Sequence, residues 1–378
     1  MNEITNRIIP VKKLSTGQEL SINVIEISSK KPGPIVYFQS SVHGAEVQGN
    51  LVIFKLIEFF KENEFSGKVI FVPNANPYGS LQKSGPYTQG RFNPVTGNNY
   101  NRNYTDLFSI PEFADRLELF IEQDYQCHQL KEKFKRLIKD SIDQLIEQKR
   151  SYGLNEDFYL NILLQKIAAE ADICLDLHTG PVACEYLYSN SSQKNEVSKM
   201  FPFEFVLDIP EEFAGAMDEA FFINYTHVNK LLSRKGAPLL QCSSYTVELG
   251  SEELISTIEA NKYLNKILFF LTKKGLLANL AFKTPLTQPQ KYIELKNYKT
   301  YYAPTGGHVE YFAAPGKKIS KDETLAIIYT PSFDENGFKT HEIKAVSDAY
   351  VINYQHTATV HEGMELYQVG ENPTYINF

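Results

Sequence analysis

Two imidazoles and two carboxylates stand where apolar runs of this chain give way to turns, and their chemistry suits a divalent cation. His43-Gly-Ala-Glu46 follows the run PIVYFQSS at 34–41. Residues three apart at a helix start face the same side, so an imidazole and a carboxylate can converge there. Zinc accepts such mixed nitrogen and oxygen donors, and a catalytic site adds a third ligand and an open position for water. His178, in Asp176-Leu-His178-Thr-Gly180 after the run DICLDL, supplies that third ligand. In open α/β sheets functional groups gather at the carboxyl ends of strands, where His43 and His178 would both lie. Asp176 points the same way as His178 along an extended chain. It either orients the imidazole or only caps a loop. Taken alone, His-x-x-Glu fits an ordinary polar helix start better than a metal site.

Thr246-Val-Glu248-Leu-Gly250 ends another apolar run. An isolated carboxylate there is costly if buried. Beside a metal, Glu248 could take a proton from bound water and return it to a leaving amine. As a plain surface strand end it would do nothing, and by itself that reading is equally good. Arg91 and the pair Asn101-Arg102 lie in an Asn-rich stretch. A guanidinium with a neighbouring amide suits carboxylate recognition, and a second guanidinium can stabilise an oxyanion. A single arginine is usually a solvated side chain. What favours chemistry is the joint occurrence of these groups in one order.

The elements that must hold them read as α/β. Residues 34–41 predict a buried strand, about 46–63 a helix with Val47, Leu51, Phe54, Leu56 and Phe59 on one face, and 68–73 a second strand. That order predicts a βαβ unit with parallel pairing. Residues 74–104 read as a long functional loop. A helical insertion follows at about 105–170, with one charged helix over 118–150, its stripe formed by Leu130, Phe134, Leu137 and Ile138, and another over 155–170. Strands are predicted at 172–177 (ending at His178), 184–189, 204–209 and 239–249, and helices at about 219–233 and 256–273. The predicted fold is a mixed, mostly parallel sheet with helices on both faces over residues 1–283, plus a C-terminal all-β domain over 284–378.

That C-terminal part contains no arginine and an internal repeat offset by 41 or 42 positions. Ala303 to Phe312 matches Ala345 to Tyr354, with Val309 opposite Val351. Ile319 and Leu325 then match Val360 and Leu366. A duplicated β-motif predicts a small pseudo-symmetric sandwich or barrel, and the pattern resembles the biotinyl/lipoyl-type hammerhead. No lysine sits at an obvious hairpin tip between the halves, so a packing or lid domain is expected rather than a carrier.

Composition narrows the class. The 378 residues carry a net charge of −7 without a basic run, which argues against a nucleic-acid surface. Neither a signal peptide nor a membrane span is expected, because MNEITNRIIP lacks a basic and an apolar region and no apolar run approaches ~18 residues. Cys127, Cys174, Cys184 and Cys242 form no CxxC pair, so a reduced, cytoplasmic protein is expected.

The succession HGAE, GRFNPVTGNNYNRN, DLHTG and TVELG resembles the succinylglutamate desuccinylase/aspartoacylase family, a relative of the zinc carboxypeptidases, over about residues 30–275. The resemblance implies one Zn2+ per chain held by His43, Glu46 and His178. It implies Glu248 as general base and then acid, Arg91 as the carbonyl-polarising arginine, and Asn101 with Arg102 as the carboxylate-binding pair. The implied reaction is hydrolysis of an amide next to a free carboxylate, with an N-acyl amino acid or short peptide as the small-molecule partner. Cobalt or manganese would suit the same donors. Carboxypeptidase action and a catalytically silent binding protein are the competing readings, and a homodimer is left open. Members that cleave acidic N-acyl amino acids carry an extra arginine shortly before the catalytic glutamate. None follows Arg234 here, which puts recognition of an aspartate or succinyl side chain in question.

Overall fold

The computed structural model describes residues 2–278, 286, 288–335 and 337–378. Contacts divide the chain into two compact units: Met1–His178, Glu211–Thr246 and Ile255–Phe282 make the first, and Thr179–Pro210, Val247–Leu254 and Lys283–Phe378 the second.

Six strands that lie wholly or partly in the first unit form a mixed sheet: β1 (Glu3–Lys13), β2 (Glu19–Ser28), β3 (Ile35–Ser40), β4 (Lys68–Val72), β5 (Ile173–Gly180) and β6 (Ser243–Ser251). Their order is β1-β2-β4-β3-β5-β6. β1 and β2 pair antiparallel, as do β2 and β4, whereas β3 runs parallel to both β4 and β5. Helix α1 (Gln48–Glu62) makes the β3–α1–β4 crossover. The fully buried central strands read as near-continuous apolar runs because both faces are covered. Successive residues of β3 show this. Tyr37 joins one apolar cluster with Phe113, Phe134, Ile138 and Phe221 of the helical layer. Phe38, on the other face, stacks on Phe71 at 5.2 Å, and Phe71 meets Phe60 of α1 at 6.4 Å.

The helical layer comprises α2 (Pro111–Asp124), α3 (Leu130–Arg150), α4 (Glu156–Ala168) and α5 (Met217–Arg234); α6 (Thr257–Lys273) packs beside α1. Where one helix was predicted over 118–150, there are two. Pro111, pre-set for a first helical turn, starts α2 early, and 125–129 separates it from α3 without a glycine or proline to signal the break. The buried stripe of α1 is Val52, Ile53, Leu56 and Phe60, with Gln48 and Gly49. Phe54, predicted on the core face, is 51% exposed, because α1 begins at Gln48 and the face is set by packing on β3 and β5. The predicted loop 74–104 holds a short helix, Pro77–Leu81, and a small hairpin, Lys83–Ser84 with Tyr87–Thr88.

In the second unit Glu185–Asn190, Phe205–Ile209 and Gln290–Glu294 pair parallel, and Thr374–Ile376 adds antiparallel. The remaining strands form two antiparallel sheets. One orders Tyr298–Tyr302, Glu365–Glu371, Ala349–Tyr354 and Lys318–Ile319; the other orders Gly337–Lys344, Thr324–Asp334, Gly307–Tyr311 and Thr359–Val360. The repeat read from the sequence is the core of this part. Ala303 and Ala345, Val309 and Val351, Ile319 and Val360, and Leu325 and Leu366 are all buried in one cluster. Equivalent positions in two copies thus supply matching halves of one interior.

Candidate metal centre

β3 stops abruptly at Ser41, whose φ of 57° is left-handed, a conformation uncommon outside glycine. Its hydroxyl donates to Asn50 Oδ1 at 2.7 Å, tying the turn to α1. The chain then closes a tight turn, Glu46 N–H donating to His43 O at 3.2 Å. His43 and Glu46 therefore share a side because of this turn, one residue before the helix cap, rather than as members of the helix. The parallel register pairs Ser40 with Leu177, which sets His178 level with the start of the same turn. His178 lies inside β5, which continues to Gly180, and not in a loop after it.

His43, Glu46 and His178 come together with donor atoms within 4.8 Å of one another, all three buried. His43 Nδ1 lies 2.7 Å from Glu46 Oε1, and His178 Nδ1 lies 2.6 Å from Glu46 Oε2. Each imidazole is fixed from behind: His43 Nε2 by Asn99 Oδ1 at 2.8 Å, and His178 Nε2 by Asp176 Oδ2 at 3.0 Å and Asn101 Nδ2 at 3.3 Å. Partners of this kind orient a metal-binding imidazole and select its tautomer. Asp176 is fully buried and takes the orienting position that its two-residue spacing predicts.

The electrostatics follow from burial and from these neighbours. Burial pushes His43 down, with Glu46 pulling the other way. Burial acts to raise Glu46, but His43, His178 and Arg91 outweigh it and hold the carboxyl well below the usual carboxylate range. His178 also suffers burial, yet Asp176 and Glu46 lift it well above an ordinary histidine. One ionised carboxylate thus holds two imidazoles, and a divalent cation could replace the proton between them. Two imidazoles and a carboxylate, buried and convergent, fit zinc.

Arg91 Nη2 lies 2.8 Å from Glu46 Oε1, so this arginine reaches the cluster. Asn101 is buried against His178 and accepts Met217 N–H through Oδ1 at 3.4 Å. The Arg102 side chain is exposed, its Nη1 donating to Asn101 O at 2.6 Å. Glu248 is buried on β6, two residues past the end of the first unit's share of that strand, and belongs to the second unit. There its charge adds to burial in raising the Tyr186 and Tyr298 hydroxyls. Two residues escaped the sequence reading. Asn99 sits in the Asn-rich stretch between Arg91 and Asn101. Asp218, buried at the start of α5, is raised to about 7 by burial and then by Glu219 and Asp176. A polar residue among several asparagines, and an acid in the first turn of a helix, carry no distinguishing signal in a single sequence.

A parallel β–α–β core with His, Glu and His gathered at the carboxyl ends of neighbouring strands defines an α/β protein with three buried donors that could hold a metal ion. The chain belongs to the succinylglutamate desuccinylase/aspartoacylase family, whose catalytic-domain model matches residues 32–265. Among solved structures it is similar to a protein from Shewanella frigidimarina NCIMB 400 assigned to that family, at 31% identity and a TM-score of 0.90, covering 100% of this chain and 99% of that one. It is equally similar to a family protein from Shewanella amazonensis SB2B, at 32% identity and a TM-score of 0.90 over 98% and 100% of the two chains. The ectoine utilization protein EutE (DoeB) from Ruegeria pomeroyi shares the fold, at 16% identity and a TM-score of 0.64 over 98% and 95%. No curated protein sequence matches the chain. Among the described residues no helix is long and apolar enough to cross a membrane.

Proposed function

We propose that this chain is a zinc-dependent amidohydrolase that cleaves an amide next to a free carboxylate, with N-acyl amino acids as substrates. Family membership suggests a hydrolase of the desuccinylase/aspartoacylase kind. The observation that carries the finer reading is the buried convergence of His43, Glu46 and His178 beside Arg91 and Asn101. Zinc bound there would supply a polarised water and a Lewis acid for the scissile carbonyl. In this reading Glu248 accepts a proton from water and returns it to the leaving amine. Arg91 stabilises the negative charge that develops on the carbonyl oxygen. Asn101 and Arg102 hold the substrate carboxylate, the guanidinium offering a fork of donors and the amide one more.

The proposal also takes 1–283 as the catalytic domain and 284–378 as an appended β domain, and places the protein in the cytoplasm. Protein purified without chelator should carry about one zinc per chain. A panel of N-acetyl and N-succinyl amino acids and dipeptides then tests the reaction. Turnover of dipeptides alone would replace deacylation by carboxypeptidase action, and zinc-loaded protein that turns over nothing in the panel would refute the hydrolase.

A further inference from the structure

The turn 94–98 is exposed, yet it hangs from a buried carboxylate. Asp157, on the first turn of α4, is 4% exposed. Its Oδ1 accepts from Asn93 Nδ2, and its Oδ2 accepts from Thr96 Oγ1 at 2.6 Å and from Asn98 Nδ2 at 3.1 Å. Asn93, itself fully buried, also donates to Glu156 Oε1 at 2.6 Å, while its own Oδ1 accepts Val95 N–H at 2.8 Å. Asn155 Oδ1 caps the helix and holds the Asp157 backbone N–H at 2.9 Å. A buried carboxylate is expensive to desolvate. Here it is satisfied by neutral donors drawn from one surface turn, which is more than loop closure requires.

What that turn joins explains the expense. On one side of it stands Arg91, 2.8 Å from Glu46. On the other stands Asn99, whose Oδ1 meets both His43 Nε2 at 2.8 Å and Asn101 N–H at 2.8 Å. The two arms are tied to each other, Asn93 N–H to Asn98 O at 2.8 Å and Tyr100 N–H to Arg91 O at 3.1 Å. We propose that Asp157 is a positioning residue: a post on the helical layer that fixes the 93–98 turn and so sets Arg91 against Glu46 and Asn99 against His43. The helical layer thereby does more than cover the sheet. The catalytic part of this inference rests on the hydrolase reading above; the metal-binding part does not.

The geometry supplies its own test. Asp157→Asn keeps the shape but turns one acceptor into an amino group that faces donors. Asn98→Asp in the same chain gives that amino group an acceptor and restores the match. Each variant is assayed as full-length protein for hydrogen exchange, for Co2+ affinity by its visible absorption, and for kcat and KM. Asp157→Asn should lose exchange protection over 91–102 while α4 beyond its first turn and the sheet stay protected. It should bind Co2+ about 10-fold more weakly, as for loss of an imidazole's supporting partner, and lose at least 10-fold in kcat/KM. The double variant should recover most of each. Loosening of the segment with unchanged Co2+ affinity overturns the proposal, as does loss of protection throughout α4, or a double variant no better than the single. If the wild-type chain turns over nothing in the panel, the hydrolase reading falls, and Co2+ affinity with its recovery still decides the role of Asp157.

Discussion

Replacing Gly44 by alanine tests how the ligand pair is set beside the arginine loop. Three backbones meet at this point. A Cβ on Gly44 would lie 2.2 Å from Gly79 O and 2.4 Å from Gly79 C, against the 3.4 Å at which ordinary contact begins, a deficit of about 1.2 Å. The obstacle is main chain of the short helix Pro77–Leu81, not a flexible side chain. Gly90, at φ +67°, crowds the same carbonyl: a Cβ there would lie 2.3 Å from the same Gly79 O. Gly44 N–H also donates to Gly90 O at 3.0 Å, one residue before Arg91. The turn carrying His43 and Glu46 must therefore move by the order of 1 Å relative to Arg91. Overpacking of this kind costs about 1–3 kcal/mol of stability, and a misplacement near 1 Å costs roughly 100-fold in turnover. Gly44→Ala should fold, bind Co2+ at least 10-fold more weakly, and lose about 100-fold in kcat/KM, measured by titration and steady-state kinetics. Gly17→Ala is the control: its φ is +85° but nothing lies within 4 Å of the added methyl, so it should lose some stability and no metal affinity. Wild-type metal affinity and turnover in Gly44→Ala would refute the reasoning.

Three further outcomes follow from the site. Glu248→Gln should keep its metal and lose about 10²–10⁴ in kcat, whereas His178→Ala should lose the metal itself, as metal analysis of both variants will show. Asn99→Ala removes the acceptor behind His43 and should weaken metal binding by about 10–100-fold, measured by competition with a chelator. Asp218, raised from an ordinary 3.8 to about 7 by burial and then by Glu219 and Asp176, is a group whose folded form holds its proton more tightly than the unfolded chain. Its contribution is intact below about pH 4, is lost as pH rises to about 7, and is flat above that. Asp218→Asn should therefore gain on the wild type across that window, by at most about 4 kcal/mol, in denaturant melts at a series of pH values; a gain independent of pH would refute the raised acid.

Much of the catalytic core was legible because periodicity and local chemistry agree there. The runs at 34–41, 68–73 and 172–177 are short and mostly apolar on both faces, the first two rich in β-branched and aromatic residues, as strands covered on two sides are. The repeat in the C-terminal part was legible for a related reason: duplicated small and branched residues must fill a shared interior, and the pairs Ala303/Ala345, Val309/Val351, Ile319/Val360 and Leu325/Leu366 do so. The break between α2 and α3 was not legible, since 125–129 lacks any residue that forbids a helix. Nor was the face of α1, where Phe54 and Val52 satisfy the same pattern and only the neighbouring sheet chooses between them.

The sequence alone determined which groups could bind a cation and on which strands they would ride, because donor chemistry and strand periodicity are local properties. Only the tertiary structure decided that they meet. The parallel register of β3 with β5 brings His178 to the turn that holds His43 and Glu46. Close backbone approach at Gly44, Gly79 and Gly90 brings Arg91 there as well. Asn99 and Asp157 acquire roles through contacts between residues dozens of positions apart, and such distances are closed by packing, which no single segment of the chain specifies.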